Sequence, residues 1–254
     1  MTRYSTFKNL HYQATPLLIG NVWNVQSASI FERLNFKAIG TSSAAIANTL
    51  GYHDGQQVPF AELLFIVDRI TKTTALPLTV DLEFGYGTTA QQIADNIAAL
   101  SKKGVVGINL EDSTIGNGTR KLSNSFAGLL AETILYLKQL QVEIFINLRC
   151  DAYLLQLENA LDIAKERIAL YEQAGVDGIF IPCLTSELDI KEIVSCTQLP
   201  VNVMCMPTLP DFTTLQDLGV KRISMGNFLN ENIYTSLERI SQHVLASKSF
   251  NCLF

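Results

Sequence analysis

Acidic and basic residues stand directly behind apolar runs in the middle of the chain: Asp81-Leu82-Glu83, Glu111-Asp112 and Arg149-Cys150-Asp151. Carboxylates gathered this closely raise each other's pKa unless a cation separates them. Hard oxygen donors, with no nearby His and no Cys pair, favour Mg2+ or Mn2+ over zinc. Mg2+ binds one or two carboxylates directly, keeps several waters and leaves room for substrate oxygens. The plainer alternative is a set of solvated ion pairs with Lys or Arg. The planar fork of Arg149 suits capture of a carboxylate or phosphonate, and it would equally neutralise Glu111 or Asp151. Upstream, Gly40-Thr41-Ser42-Ser43-Ala44-Ala45 is a small-residue turn whose amides and hydroxyls would cradle an anion or simply cap a helix. Leu50 to Gln57, with Gly51 and Gly55, has the composition of a mobile lid, and Ser113 to Lys121 is a second Gly-rich loop. Such loops would exclude water, and Asn117 or Arg120 on the second would touch substrate on closure.

The elements that must position these groups follow from the apolar runs. Val, Ile and Leu cluster near Leu18, Ile39, Val80, Ile108, Ile146, Ile179, Val203 and Ile223, as in buried parallel strands. Helical segments lie between them, at residues 26–34, 60–72, 89–102, 125–140, 157–174, 187–197, 213–218 and 231–246. Strands alternating with helices in this number predict one α/β domain, a (β/α)8 TIM-type barrel spanning residues 1–254. A doubly wound sheet is the rival, but no GxGxxG follows the first strand. A barrel keeps its chemistry at the C-terminal ends of its strands, where the acids and Arg149 fall. Residues two apart on a strand share a face, which groups Asp81 with Glu83, Asn109 with Glu111 and Asn147 with Arg149. Asp81, Glu83, Glu111 and Asp112 are thus expected to concentrate negative charge at one rim.

The chain has 254 residues, 48% hydrophobic and 17% charged, which excludes a disordered protein. A net charge of −5 argues against nucleic-acid and anionic-membrane partners. The polar start lacks a signal-peptide core and no apolar run reaches the roughly 18 residues of a membrane helix, so a cytoplasmic protein is expected. The Cys residues read as reduced thiols, with Cys150 facing a helix and Cys205 within reach of the site. Trp23 reads as a packing residue and His53 as a solvated loop residue.

Several segments together resemble the isocitrate lyase/phosphoenolpyruvate mutase superfamily. They are Asn21-Val22-Trp23-Asn24, Thr41-Ser42-Ser43, Leu50 to Gly55, Val80-Asp81-Leu82-Glu83-Phe84-Gly85-Tyr86-Gly87, Gly107 to Asp112, and Asn147-Leu148-Arg149. The resemblance implies a Mg2+-dependent barrel enzyme that makes or breaks C–C or P–C bonds beside a small 2-oxo acid, or its phosphonate, through an enolpyruvate-like oxyanion. It implies Asp81 as the direct metal ligand, with Glu83 and Glu111 holding the metal's waters. Ser42, Ser43 and Ala44 would bind the substrate carboxylate and oxyanion, Arg149 would clamp the far anionic group, and Asp54 would ride on the gating loop. A homo-oligomer, dimer or tetramer, is implied too, with the last helix packing on another subunit.

Departures from the pattern narrow the activity. The lyases carry a Lys-Lys-Cys-Gly-His type motif where this chain has Ser113 to Lys121, without Cys or His, which argues against isocitrate and methylisocitrate lyase. The mutase has Trp where this chain has Gly40, and Asp where it has Glu83. The short phosphonomutase-like (carboxyvinyl-carboxyphosphonate phosphorylmutase-like) branch is the better likeness. An oxaloacetate-type C–C hydrolase and a catalytically silent metabolite binder are the alternatives.

Overall fold

All the apolar runs form strands, and the strands close on themselves. In the computed structural model, which describes residues 2–116 and 119–254, the strands are β1 (Leu17–Val22), β2 (Ala38–Thr41), β3 (Leu78–Asp81), β4 (Gly107–Glu111), β5 (Ser113–Gly116), β6 (Thr119–Leu122), β7 (Phe145–Arg149), β8 (Gly178–Phe180), β9 (Val201–Met204) and β10 (Arg222–Ser224). Parallel pairing runs β1-β2-β3-β4-β7-β8-β9-β10 and returns to β1, a closed barrel; β5 and β6 stand apart as an antiparallel hairpin. The register sets Asp81 beside Asn109 and Glu111 beside Arg149, so the residues that end β3, β4 and β7 meet at one mouth.

The helices are α1 (Arg3–Leu10), α2 (Val25–Arg33), α3 (Ser43–Leu50), α4 (Phe60–Thr71), α5 (Ala90–Lys102), α6 (Phe126–Gln139), α7 (Ala160–Ala174), α8 (Glu187–Ser195), α9 (Phe212–Asp217) and α10 (Phe228–Ser247). Residues on the outer face of the strands, such as Val80, Leu82 and Ile108, join Ile93, Ile97 and Leu100 of α5 in the main apolar core. Trp23 is buried in that core, as expected of a packing residue. A smaller core closes the barrel floor, where α1 brings Phe7 edge-on to Phe145 at 5.6 Å and His11 stacks on the same ring at 4.2 Å. Above that floor the interior turns polar, with Thr79, Asn147, Asn202 and Arg222 all buried.

Local structure departs from the sequence-based expectation in three places. The polar start forms α1, held because its one buried side chain, Phe7, plugs the barrel floor. The small-residue turn after β2 is only its first residues: Ser42 caps α3 by accepting from Ala45 N at 3.3 Å. The second Gly-rich loop is the β5–β6 hairpin, pairing Ser113 with Leu122 and Ile115 with Arg120. Among the described residues no helix is long and apolar enough to cross a membrane.

Candidate active site

The end of β3 is locked to β2 before any side chain enters the cleft. Asp81 N donates to Thr41 Oγ1 at 2.8 Å. Its carboxylate then faces the start of α3, where Ser43 Oγ donates to Asp81 Oδ2 at 2.9 Å and Ser43 N approaches the same oxygen at 3.4 Å. A helix N-terminus favours a carboxylate there. Even so, burial pushes the Asp81 pKa up, Arg149 pulls it back, and the Asp54 charge raises it again. Among the described residues only Oδ2 receives protein donors, so Oδ1 faces the cleft without one.

Glu83 reaches the mouth by a turn rather than by strand parity. The strand ends at Asp81, and Glu83, Gly85 and Tyr86 then take left-handed φ values of 50°, 106° and 55°. Non-glycine residues hold that conformation only where surroundings enforce it. Here Tyr86 OH donates to Glu83 Oε1 at 2.7 Å and Gln56 N donates to Oε2 at 2.6 Å, while Gln56 Oε1 accepts from Tyr86 N at 3.1 Å. Glu83 therefore clasps the segment carrying Asp54 onto the barrel. Burial, with the charges of Asp54 and Asp81, pushes its pKa up to about 7. Gly55 in that segment has φ 104°, and a Cβ there would collide with Ile115 Cδ1 of the hairpin, so the two loops touch.

On the opposite side the charges are paired. Arg149 Nε and Nη2 fork onto the two oxygens of Asp151 at 2.6 and 3.2 Å, and Nη1 lies 2.7 Å from Glu111 Oε2. Arg120, delivered by β6, donates to Glu111 Oε1 and, at 2.9 Å, to Ser113 Oγ, which in turn donates to Asp151 Oδ2. Burial alone would lower the Arg149 pKa, but Glu111, Asp151 and Asp81 hold it above the ordinary value. Burial raises Glu111 against the pull of Arg149. Asp112 does not join the rim. It faces outward, accepting from Arg167 Nε and Tyr171 OH, both at 2.6 Å, and from Asp151 N at 3.0 Å. Strand parity with Glu111 explains the reversal, since adjacent residues point to opposite faces.

These elements frame a cleft of about 240 Å3 at the C-terminal mouth, lined among others by Ser42, Ser43, Ala44, Asp54, Asp81 and Arg149. A larger hollow of about 460 Å3 between α2 and α10 is lined mostly by aliphatic and aromatic side chains, with Asn24, Gln26 and Ser27 but no charged group. Glu83 and Glu111 stand behind the cleft wall, each already engaged by protein donors. Asn117 lies outside the described residues. Cys150 is buried, its thiol pushed up by burial, while Cys205 is exposed and His53 solvent-facing. Sequence reasoning leaves Arg120 as a loop contact and passes over Tyr86 and Arg222. The signal for Arg222 is present: a charge at the start of the last strand with the parity of Ser224, which points it into the barrel.

Among the described residues no three His, Cys, Asp or Glu side chains converge as a ready metal cluster. The donor set nevertheless fits a divalent cation of the Mg2+ type: an open carboxylate oxygen on Asp81, a second carboxylate on Asp54, and no thiol or imidazole between them. Glu83, whose two oxygens hold protein donors, and Glu111, held between Arg120 and Arg149, would reach such an ion through water.

Residues 7–245 match the family model described as phosphoenolpyruvate phosphomutase. An uncharacterized protein of Mycobacterium tuberculosis is 32% identical over 87% of this chain and 82% of its own length. A provisionally named phosphonomutase of Burkholderia cenocepacia J2315 has a solved structure that superposes with a TM-score of 0.88, at 33% identity, over 94% of this chain and 99% of that one. Phosphonopyruvate hydrolase, solved with oxalate and Mg2+, shares the fold at a TM-score of 0.87 and 18% identity, covering 99% of this chain and 89% of that one.

Proposed function

Because the chain belongs to the phosphoenolpyruvate phosphomutase family, we propose that it is a Mg2+- or Mn2+-dependent enzyme acting on a small 2-oxo acid or its phosphonate, making or breaking the adjacent C–C or P–C bond. The observation that carries this reading is the cleft in which Ser43, Asp54, Asp81 and Arg149 face one volume of about 240 Å3. A bound divalent cation would act as a Lewis acid on the 2-oxo oxygen as negative charge develops there. Asp81 would hold that ion directly, with Glu83 and Glu111 orienting its waters. Ser42, Ser43 and Ala44, at the N-terminus of α3, would receive the substrate carboxylate and oxyanion. Arg149 would draw a further anionic group toward the cleft, its charge fixed by Asp151. Asp54 would close over the substrate on its segment, Asn117 would contact the substrate, and closure would exclude water. Phosphonopyruvate and oxaloacetate are the substrates to assay first. The Asp81→Ala variant should lose at least about 1,000-fold in metal-dependent turnover while keeping its fold. Undiminished metal-dependent turnover would overturn the proposal.

The second reading is a C–C hydrolase of the oxaloacetate type. It is favoured by the hairpin, where Arg120 pairs with Glu111 at the mouth and the Cys-His motif of the lyases is missing; water would add to the 2-oxo carbon and supply the proton that the departing acetate carbon takes up. Oxalate plus acetate from oxaloacetate would select it. We also propose a homo-oligomer, dimer or tetramer, in the cytoplasm. Of the 20 residues of α10 only Asn230 is buried, while Phe228, Leu229, Ile233, Tyr234, Leu237 and Leu245 are exposed. That surface suits another subunit, and sedimentation velocity would reveal a monomer if it does not.

A further inference from the structure

The interior of such a barrel is ordinarily filled by branched aliphatic side chains. Here, between the Phe7–Phe145 floor and the mouth, it holds Arg222, which is only 2% exposed. The sole hydrogen bond of its guanidinium among the described residues runs from Nη2 to Asn109 Oδ1 at 3.3 Å, and that oxygen already accepts from Asn147 Nδ2 at 2.9 Å. Among the described residues Nε and Nη1 have no hydrogen-bond partner, and neither do Thr79 Oγ1 and Asn202 Oδ1. No carboxylate among the described residues lies within ion-pair distance of Arg222. Burial therefore depresses its pKa to about 9, only partly offset by the more distant Asp81. A buried cation in this condition is strongly disfavoured unless something that the chain does not itself supply meets it.

The surroundings leave room for that partner. Arg222, Thr79 and Asn109 line the deep end of the cleft whose rim carries Ser43 and Asp81. Gly40 keeps this end open, since a Cβ there would stand 3.0 Å from both Ile19 Cγ2 and Thr79 Cγ2. Arg149 is differently placed, because Asp151 and Glu111 already occupy its fork. We propose that Arg222 is a specificity-determining residue that receives a second anionic group of the substrate, a carboxylate or phosphonate, at the floor of the cleft. The substrate class is then a dianion or trianion with charge at both ends, and a monoanion such as pyruvate leaves the floor unfilled. The inference rests on the proposed 2-oxo acid chemistry for the identity of the substrate, but the floor site itself does not require it.

Calorimetric titration of the full chain with sulfate, in Mg2+-free buffer, tests it. The wild type should bind sulfate, Arg222→Met should weaken binding at least about tenfold, a loss of roughly 1.4 kcal/mol, and Arg222→Lys should retain most of it. Thr79→Val, which leaves the charge in place, should weaken sulfate binding about threefold and gives a second reading if Arg222→Met does not fold. Asp81→Asn should leave sulfate binding intact or tighten it. Sulfate bound equally by wild type and the Arg222 and Thr79 variants, or not bound by the wild type at all, would overturn the floor site. Metal-dependent turnover that survives such a result would leave the proposed activity standing and remove only this inference.

Discussion

Two arginines, the part-buried Arg149 and the buried Arg222, sit within one barrel under opposite conditions. Arg149 ends β7 with its fork closed on Asp151 and its remaining nitrogen against Glu111. Arg222 starts β10 with two nitrogens unmatched among the described residues and one hydrogen bond, to a neutral amide. Breaking a buried pair strands a charge, whereas removing a charge that never had a partner relieves one. The Glu111–Arg149–Asp151–Arg120 side of the mouth therefore belongs to the scaffold as much as to the chemistry. The side formed by Asp54, Asp81 and Arg222 carries charges that the proposed cation and anionic substrate would compensate.

The largest effect should separate the two arginines directly. Arg149→Met leaves Glu111 and Asp151 short of a cation and should cost about 3–5 kcal/mol of stability. Arg222→Met should be neutral or stabilising by about 1–4 kcal/mol. Denaturant melts of both variants decide this, and equal losses would erase the distinction.

A somewhat smaller loss is expected at Asp112, outside the barrel wall. Asp112→Asn still accepts hydrogen bonds but removes the charge facing Arg167, so it should cost about 2–3 kcal/mol and leave metal affinity unchanged. A changed metal affinity would place Asp112 back at the rim.

The barrel axis predicts an acid-sensitive stability. Burial and the Arg222 charge push His11 from 6.5 down to about 3 and leave the ring neutral, against the opposite pull of the Nδ1–H bond to Phe7 O. The unfolded chain takes up this proton below pH 6.5 while the folded chain does not. Stability is thus complete above pH 6.5 and is lost progressively toward pH 3, by about 2 kcal/mol at pH 5. His11→Phe should flatten this dependence in thermal melts across pH 5–7, and an unchanged slope would assign it elsewhere.

The smallest effect concerns the clasp on the loop. Tyr86→Phe removes one hydrogen bond to Glu83 and should cost about 1 kcal/mol, appearing as a raised KM with kcat little changed. A fall in kcat alone would instead put Tyr86 in contact with the reacting groups.

Much of this arrangement is legible in the order of the residues alone. Buried parallel strands write themselves as apolar runs, and residues at their ends, Asp81, Glu111 and Arg149, inherit their placement from the barrel. The Ser42–Ala44 segment reads equally as an anion cradle or a helix cap, and the extent of α3 behind it is not legible, because Ser, Ala and Asn serve turns and helix starts equally. The β5–β6 hairpin is hidden by reading Gly as flexibility, although Thr and Ile flanking Asn117-Gly118 is a strong hairpin signal. Pairing is not legible at all. That Arg120 meets Glu111, that Glu83 clasps Gln56 and that Arg222 meets only a neutral amide depends on contacts between residues distant in sequence, which periodicity does not encode.

The most direct test is a crystal structure of the protein soaked with Mg2+ and oxalate. The expected outcome is the cation on Asp81, oxalate between it and Ser43, and Arg149 still forked on Asp151 and against Glu111. A cation seated on Glu111 with Arg149 or Arg120 displaced, or no cation at Asp81, would contradict the assignment of Asp81 as the metal ligand and of Glu111 and Arg149 as a pre-formed pair.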